Sequence, residues 1–321
     1  MPHKKTEPVP SILSRQLEGD DVIQAISLYT EGLDEFVNFG THFLDWELKR
    51  NEIEITDVVV TSMFRRILEI VDSISILLKE GAADPCKVLL RSLFEIVLSF
   101  EYLLKEDTKR RAQCYRYSTY NKQLIFNKRH SPKHPSYKDY QQSYSRGQVF
   151  KNVPTVPDLE GRIEELQKLI DRPDYAEIKA EFVRVGNGSW FTPFSDLTNR
   201  NSKGKPTLLK KIQDLAEYLN KFDLYEILYK DWSNSVHGSD TITGTFFMNK
   251  EQQLLSMMAL RQPVIAHEVT NITFRLVELT IGLMTKRNHN QFGDVVWWVK
   301  SFHVNYTKPI LDRLLTFDMP E

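Results

Sequence analysis

Apolar residues recur along most of this chain at steps of three and four, the period of helices buried on one side. "DDVIQAISLYTEGLDEFV" opens such a stretch over 20–50, and the next, about 56–79, sets Val60, Phe64, Ile67, Val71, Ile74 and Leu78 on one face. "EGAADP" breaks the pattern; Asp84 then reads as an N-cap and Pro85 as the first helical residue of 85–105. That segment contains "LLRSLFEIVLSFEYLL" and is apolar nearly all round, which places it at the centre of a bundle with 107–126 as its antiparallel neighbour. From 128 to 157 four prolines interrupt the period, and 185–206 is irregular again. Helices are predicted at about 158–171, 174–184, 207–221, 223–236 and 249–286, with a last short one near 308–316. Strand signals are sparse. The predicted fold class is all-α: a single domain over 1–321, a multi-helix bundle with core about 20–127 and 207–286, a long insertion about 128–206 and an aromatic C-terminal segment 290–321.

The 85–105 helix carries polar residues among its leucines. At about 100° per residue, Arg91, Ser92, Glu95, Ser99 and Tyr102 fall within about 100° of arc, with Glu101 outside it. An exposed Arg91–Glu95 pair contributes a few tenths of a kcal/mol. A buried pair persists only when both charges are satisfied, and the stripe is then a candidate site. The second constellation is "LYKDWSNSVHGSD", 228–240, where Trp232, Ser233, Asn234, His237 and Ser239 bunch at a predicted helix end that Gly238 stops, with Tyr229 and Tyr102 expected around the site they form with Arg91 and Glu95. A helix C-terminus favours the imidazolium form of His237, which suits a catalytic acid or a simple cap.

Composition adds boundaries. At 321 residues, 41% hydrophobic and 26% charged, the chain can bury a sizeable core. A net charge of -1 gives no global attraction to nucleic acid, so any such contact rests on local patches. Residues 127–151 hold six Lys or Arg, Lys128 and Arg129 among them, against one Asp, interleaved with Tyr137, Tyr140, Tyr144 and Phe150. Residues 199–211, with Lys203 and Lys205, hold five basic residues and no acidic one. Basic side chains beside aromatics suit single-stranded RNA; solvated loop charge is the plain alternative. Cys86 and Cys114 show neither metal-ligand spacing nor a disulfide framework. "MPHKKTEPVP" lacks a signal-peptide core and no apolar run spans a bilayer, so a soluble, cytoplasmic protein without membrane contact is expected.

There is no Gly-rich phosphate loop, no G-x-S-x-G elbow and no paired Glu-x-x-His, and His267 and Glu268 diverge by about 100°. Neither a metal nor a cofactor is expected. "VVWWVKSFHVNY" sets Trp297, Trp298, Phe302 and Tyr306 in an aromatic stripe, read as core or dimer face, with ligand stacking as the alternative.

"LLRSLFEIVLSFEYLLKE", "RYSTYNKQ", "GSWF" (which contains Trp190) and "YEILYKDWSNSVHGS" occur in the order seen in the DUF5677 family of bacterial proteins, a resemblance covering roughly 60–245. The plan also looks like the wider HEPN class of all-α proteins, many of them metal-independent ribonucleases in toxin, abortive-infection and CRISPR-linked systems. That class has an arginine, four to six residues, then a histidine, often with asparagine after the arginine. His237 matches the histidine, whereas the upstream positions hold Lys230, Asp231 and Trp232, and Asn234 is out of register. The resemblance implies a homodimeric ribonuclease with His237, Arg91 and Glu95 at the chemistry, Arg91 supplying the missing guanidinium. Ser233, Asn234, Tyr229, Tyr102, Trp190 and the basic loops would then contact RNA. A non-catalytic module for a small anionic ligand, nucleotide signal or protein partner is the rival reading.

Overall fold

A computed structural model describes residues 17–147, 154, 156–232, 246–249 and 254–312. The chain is an all-α multi-helix protein with one small hairpin. Its helices are α1 (Asp20–Leu48), α2 (Ile55–Lys79), α3 (Cys86–Lys105), α4 (Thr108–His130), α5 (Ser136–Ser145), α6 (Leu159–Ile170), α7 (Ala176–Arg184), α8 (Ile212–Tyr218) and α9 (Phe222–Tyr225). After α9 comes a π-helical turn, Glu226–Asp231, and then strands β1 (Phe246–Asn249) and β2 (Leu254–Met257). Helices α10 (Ala266–Arg287), α11 (Phe292–Phe302) and α12 (Lys308–Asp312) close the described chain, with a second π-helical turn, His303–Thr307, between the last two.

Two compact units divide these elements. The first comprises Met1–Ile53, Val60–Glu101 and Leu219–Glu321. Long α1 lies against α10, α11 and α12, and the core contains Tyr29, Leu33, Phe36 and Phe43 of α1, Phe64 and Ile67 of α2, Phe94 of α3 and Val277 of α10. Small residues allow the close approaches. A Cβ on Gly32 would stand 2.7 Å from the Phe274 ring, so α1 has no room there for a larger residue. His267, on the first turn of α10, is held between Tyr29 Oη (3.1 Å from Nδ1) and Asn271 Nδ2 (2.7 Å from Nε2), and burial lowers its pKa. It is a packing histidine, as expected of a helix with no joint His–Glu site.

The second unit comprises Glu54–Val59 and Tyr102–Tyr218. Its core joins Cys114, Tyr117 and Leu124 of α4 to Ile170 of α6, Tyr175 of the intervening 3-10 turn Pro173–Tyr175, and Ile178 and Phe182 of α7. Sequence periodicity found most of these helices within a few residues; α5 lies in the proline-rich stretch where the period lapses.

The stretch 249–286 needs correcting. It is not one helix: helix begins at Ala266, and Phe246–Asn249 pairs antiparallel with Leu254–Met257, Phe246 opposite Met257 and Asn249 opposite Leu254. Short apolar runs such as "LLSMM" carry no period that separates strand from helix, and β-pairing depends on a partner several residues away.

Both cysteines are free and buried, and burial pushes each thiol up to about 12. Because the thiolate is the reactive species, the folded protein should resist DTNB, with both thiols reacting once urea unfolds it. Rapid labelling of either cysteine in the native protein would contradict this burial.

Candidate functional site

The first unit builds its most unusual polar arrangement around Arg91 of α3. The guanidinium carbon lies over the Tyr229 ring, 3.9 Å from its centroid. Tyr229 in turn stacks on Tyr225 (5.1 Å, 16° between planes), and Tyr225 on Phe222 (5.7 Å, 23°). The result is a column of three aromatic rings capped by a cation, a geometry that orients the guanidinium by attraction to the ring face.

Local backbone makes the column. Phe222, Tyr225 and Tyr229 are spaced by three and four residues, so a helix brings them to one side. Tyr229 then falls in the π-helical turn Glu226–Asp231, where the Trp232 N–H reaches back five residues to the Ile227 carbonyl at 3.2 Å. Such wide turns are rare in helices and concentrate at functional sites.

Arg91 is mostly buried, its side chain 18% exposed, whereas Glu95 keeps 40% of its side-chain surface. The two are joined at 3.5 Å from Nε to Oε1, too long for a strong charge-assisted hydrogen bond. Arg91 Nη1 is shut off from water with no hydrogen-bond partner among the described residues. A buried donor left unmade costs roughly 1–3 kcal/mol, and it calls for an explanation. Nearby charges offer no such opening: Lys230 Nζ lies 2.6 Å from Glu226, and Lys221 lies 3.7 Å from Glu101. What remains is a preoriented guanidinium on a partly exposed side chain, a group suited to an oxygen of a carboxylate or phosphate.

The other stripe residues disperse. Ser99 is buried; Ser92 is exposed and bonds back to the Val88 carbonyl at 3.2 Å. Tyr102 belongs to the second unit. There its hydroxyl donates to the Phe191 carbonyl at 3.2 Å, Arg111 lies 3.8 Å over its ring, and burial pushes its pKa up to about 12. Trp190 packs in the same cluster, 5.6 Å from Tyr102 and 5.3 Å from Tyr115. Both pack in an aromatic core, and both line a small cavity together with Glu106, Arg110 and Arg111. Beside them the Tyr218 hydroxyl donates to Glu106, and this bond, with Arg111, holds the Glu106 carboxyl below its ordinary range. Ser233, Asn234 and His237 lie outside the described residues.

Among the basic loop residues, Lys128 is engaged, donating to Gln167 at 2.9 Å, while Arg129 is exposed. Lys203 and Lys205 are exposed on a tight turn, where Asn201 Oδ1 accepts from both of their backbone N–H groups at 3.0 Å. Gly204 supplies the positive φ of 72° that this turn requires. Phe150 lies outside the described residues.

Two members of the column, Phe222 and Tyr225, escape a reading that looks for polar residues. The available signal was their spacing ahead of Tyr229. Among the described residues no three His, Cys, Asp or Glu side chains gather to hold a metal ion, and no helix is long and apolar enough to cross a membrane.

Residues 57–254, more than half of the chain, match the family model described as "Family of unknown function (DUF5677)". No curated protein matches the chain, and no solved structure does.

Proposed function

The chain belongs to the DUF5677 family, whose function is unknown, and we propose that Arg91, held on Tyr229, binds a phosphate group of RNA. The observation that carries this is a guanidinium already oriented by an aromatic ring, on a side chain that keeps 18% of its surface open to solvent. A preoriented fork gives up little side-chain freedom when an oxyanion arrives.

On this reading the protein is a HEPN-like, metal-independent ribonuclease or toxin-type effector in bacterial anti-phage defence, acting in the cytoplasm. The ribose 2′ oxygen attacks phosphorus and the 5′ oxygen leaves. His237, as imidazolium, gives that oxygen its proton, the 2′-hydroxyl proton passes to solvent, and Arg91 neutralises the phosphate. Exposed Arg129, Lys203 and Lys205 add attraction for the backbone. The enzyme works as a homodimer. Phe292 and Val299 support this: both are exposed, and seven helical residues apart they share a face of α11 beside an apolar groove lined by Val277 and Ile281.

A second reading keeps the phosphate and drops the cleavage: a binding module for a nucleotide signal or other small anion. The residues Lys230, Asp231 and Trp232, standing where the ribonuclease pattern has its arginine, favour it. Both readings need Arg91. A labelled 2′-O-methyl RNA, which cannot be cleaved, should bind the protein in a fluorescence anisotropy titration. Arg91→Lys, which keeps the charge but loses the fork and its stacking, should weaken that binding about tenfold. Equal affinity in the two proteins would remove Arg91 from the phosphate.

A further inference from the structure

A different face of the first unit carries a pocket of opposite character. It opens between α1 and α11, and three of the chain's five tryptophans, Trp46, Trp297 and Trp298, line it together with Phe39, Glu35 and Asp294. Its volume, about 450 Å³, falls within the roughly 300–1,000 Å³ of small-molecule sites.

The aromatic walls are fixed to different degrees. Phe39 and Trp298 stack face to face, 4.3 Å between centroids and 6° between planes. Trp46 meets the Phe39 ring edge-on at 6.2 Å. Trp298 is buried, and its indole N–H donates to Glu35 Oε1 at 2.8 Å, which locks both the ring and the carboxylate. Trp297 is 69% exposed, although an indole is among the side chains that gain most from burial. The Phe292–Val299 face invoked above for a dimer lies about 140–160° around α11 from Trp297, so a second copy seated there leaves the pocket open.

Charge completes the picture. Glu35 and Asp294 are the acids of the lining; its one basic side chain is His42, whose ring packs against Phe39 and Trp46, no lysine or arginine lines it, and no ion pair joins either carboxylate to a basic side chain of the described residues. Carboxylates without a cation, beside the negative faces of tryptophan rings, describe a site for a positive ligand with an apolar skin. A bare metal ion would leave the aromatic faces unused, and a neutral apolar molecule would leave the carboxylates unused.

We propose that this pocket binds a small organic cation of the alkylammonium class, its charged head between Glu35 and Asp294 and its methyl or methylene groups against Trp46 and Trp297. This site is independent of Arg91 and of the RNA reading.

The test uses the full-length protein, isothermal titration calorimetry at about pH 8 and two probes of one shape: choline, and its neutral isostere 3,3-dimethylbutan-1-ol. Choline should bind saturably, at least about tenfold more tightly than the alcohol. Asp294→Asn and Trp297→Ala, both changes at exposed side chains, should each weaken choline about tenfold while circular dichroism stays that of the wild type. Equal binding of the two probes would mean a merely greasy groove and overturns the proposal. Choline binding unchanged in both variants places the ligand elsewhere and overturns it too, as does the absence of saturable heat up to about 10 mM choline.

Discussion

Replacing His237 by alanine is expected to reduce RNA cleavage by about 10²–10⁴-fold, the usual loss when one general acid or base is removed. The assay is purified protein with mixed RNA in EDTA, scored by 2′,3′-cyclic phosphate ends. Arg91 should matter as much, because without its charge the phosphate faces Glu95 alone. Arg91→Ala by itself also removes the cap from the Tyr229 column and leaves Glu95 unpaired. Arg91→Ala combined with Glu95→Gln is therefore the better probe: it deletes both charges together, so a loss of cleavage with an unchanged unfolding midpoint reports on the phosphate. Cleavage that continues unchanged in folded His237→Ala would eliminate the mechanism. RNA that binds through Arg91 but is never cut would leave the binding-module reading as the function.

Glu47→Ala should be the most destabilising single change in the first unit, by about 3–5 kcal/mol, read as a drop in the urea midpoint. Glu47 has no exposed side-chain surface, and three groups converge on it. Arg287 Nε lies 3.0 Å from both of its oxygens, Asn288 Nδ2 donates at 2.8 Å, and Arg50 Nη2 donates at 3.0 Å. Arg50 also reaches the Arg287 carbonyl at 3.2 Å, so the cluster ties the end of α1 to the end of α10. Removing the carboxylate would take from Arg287, Asn288 and Arg50 the one fully buried acceptor they share, and open a void where it stood. The double change Glu47→Leu with Arg287→Met should recover most of the loss, since apolar side chains of similar volume need no desolvation. If Glu47→Ala unfolds at the wild-type midpoint, the cluster contributes nothing net and its charges are solvated in the folded protein.

These two sites were not equally visible along the chain. The polar stripe on α3 was legible because Arg91 and Glu95 share one helix, and helical geometry alone sets their relation. Tyr229 was legible as part of a polar cluster, but its stacking under Arg91 was not, since that joins α3 to a turn more than 130 residues later. Reading 223–236 at 3.6 residues per turn also misses the π-helical turn, which inserts an extra residue and shifts the phase of the residues after it. Glu47 and Arg50 read as an ordinary solvated helix end. Nothing local says that Arg287 and Asn288 will close over them.

The same division holds for the aromatic segment near the C-terminus. Its sequence shows four aromatic residues at helical spacing; packing decides that Trp298 and Phe302 enter the core while Trp297 stays out, facing carboxylates from α1 and α11. What the sequence determined by itself was whatever depends on near neighbours: helix spans from the apolar period, breaks at Gly and Pro, the Arg–Glu spacing on α3 and the short motifs that match its family. The tertiary structure decided which charges lose their water, which rings stack and where a run of leucines pairs as strand. Those outcomes depend on long-range partners, and desolvation acts only once the partners have met.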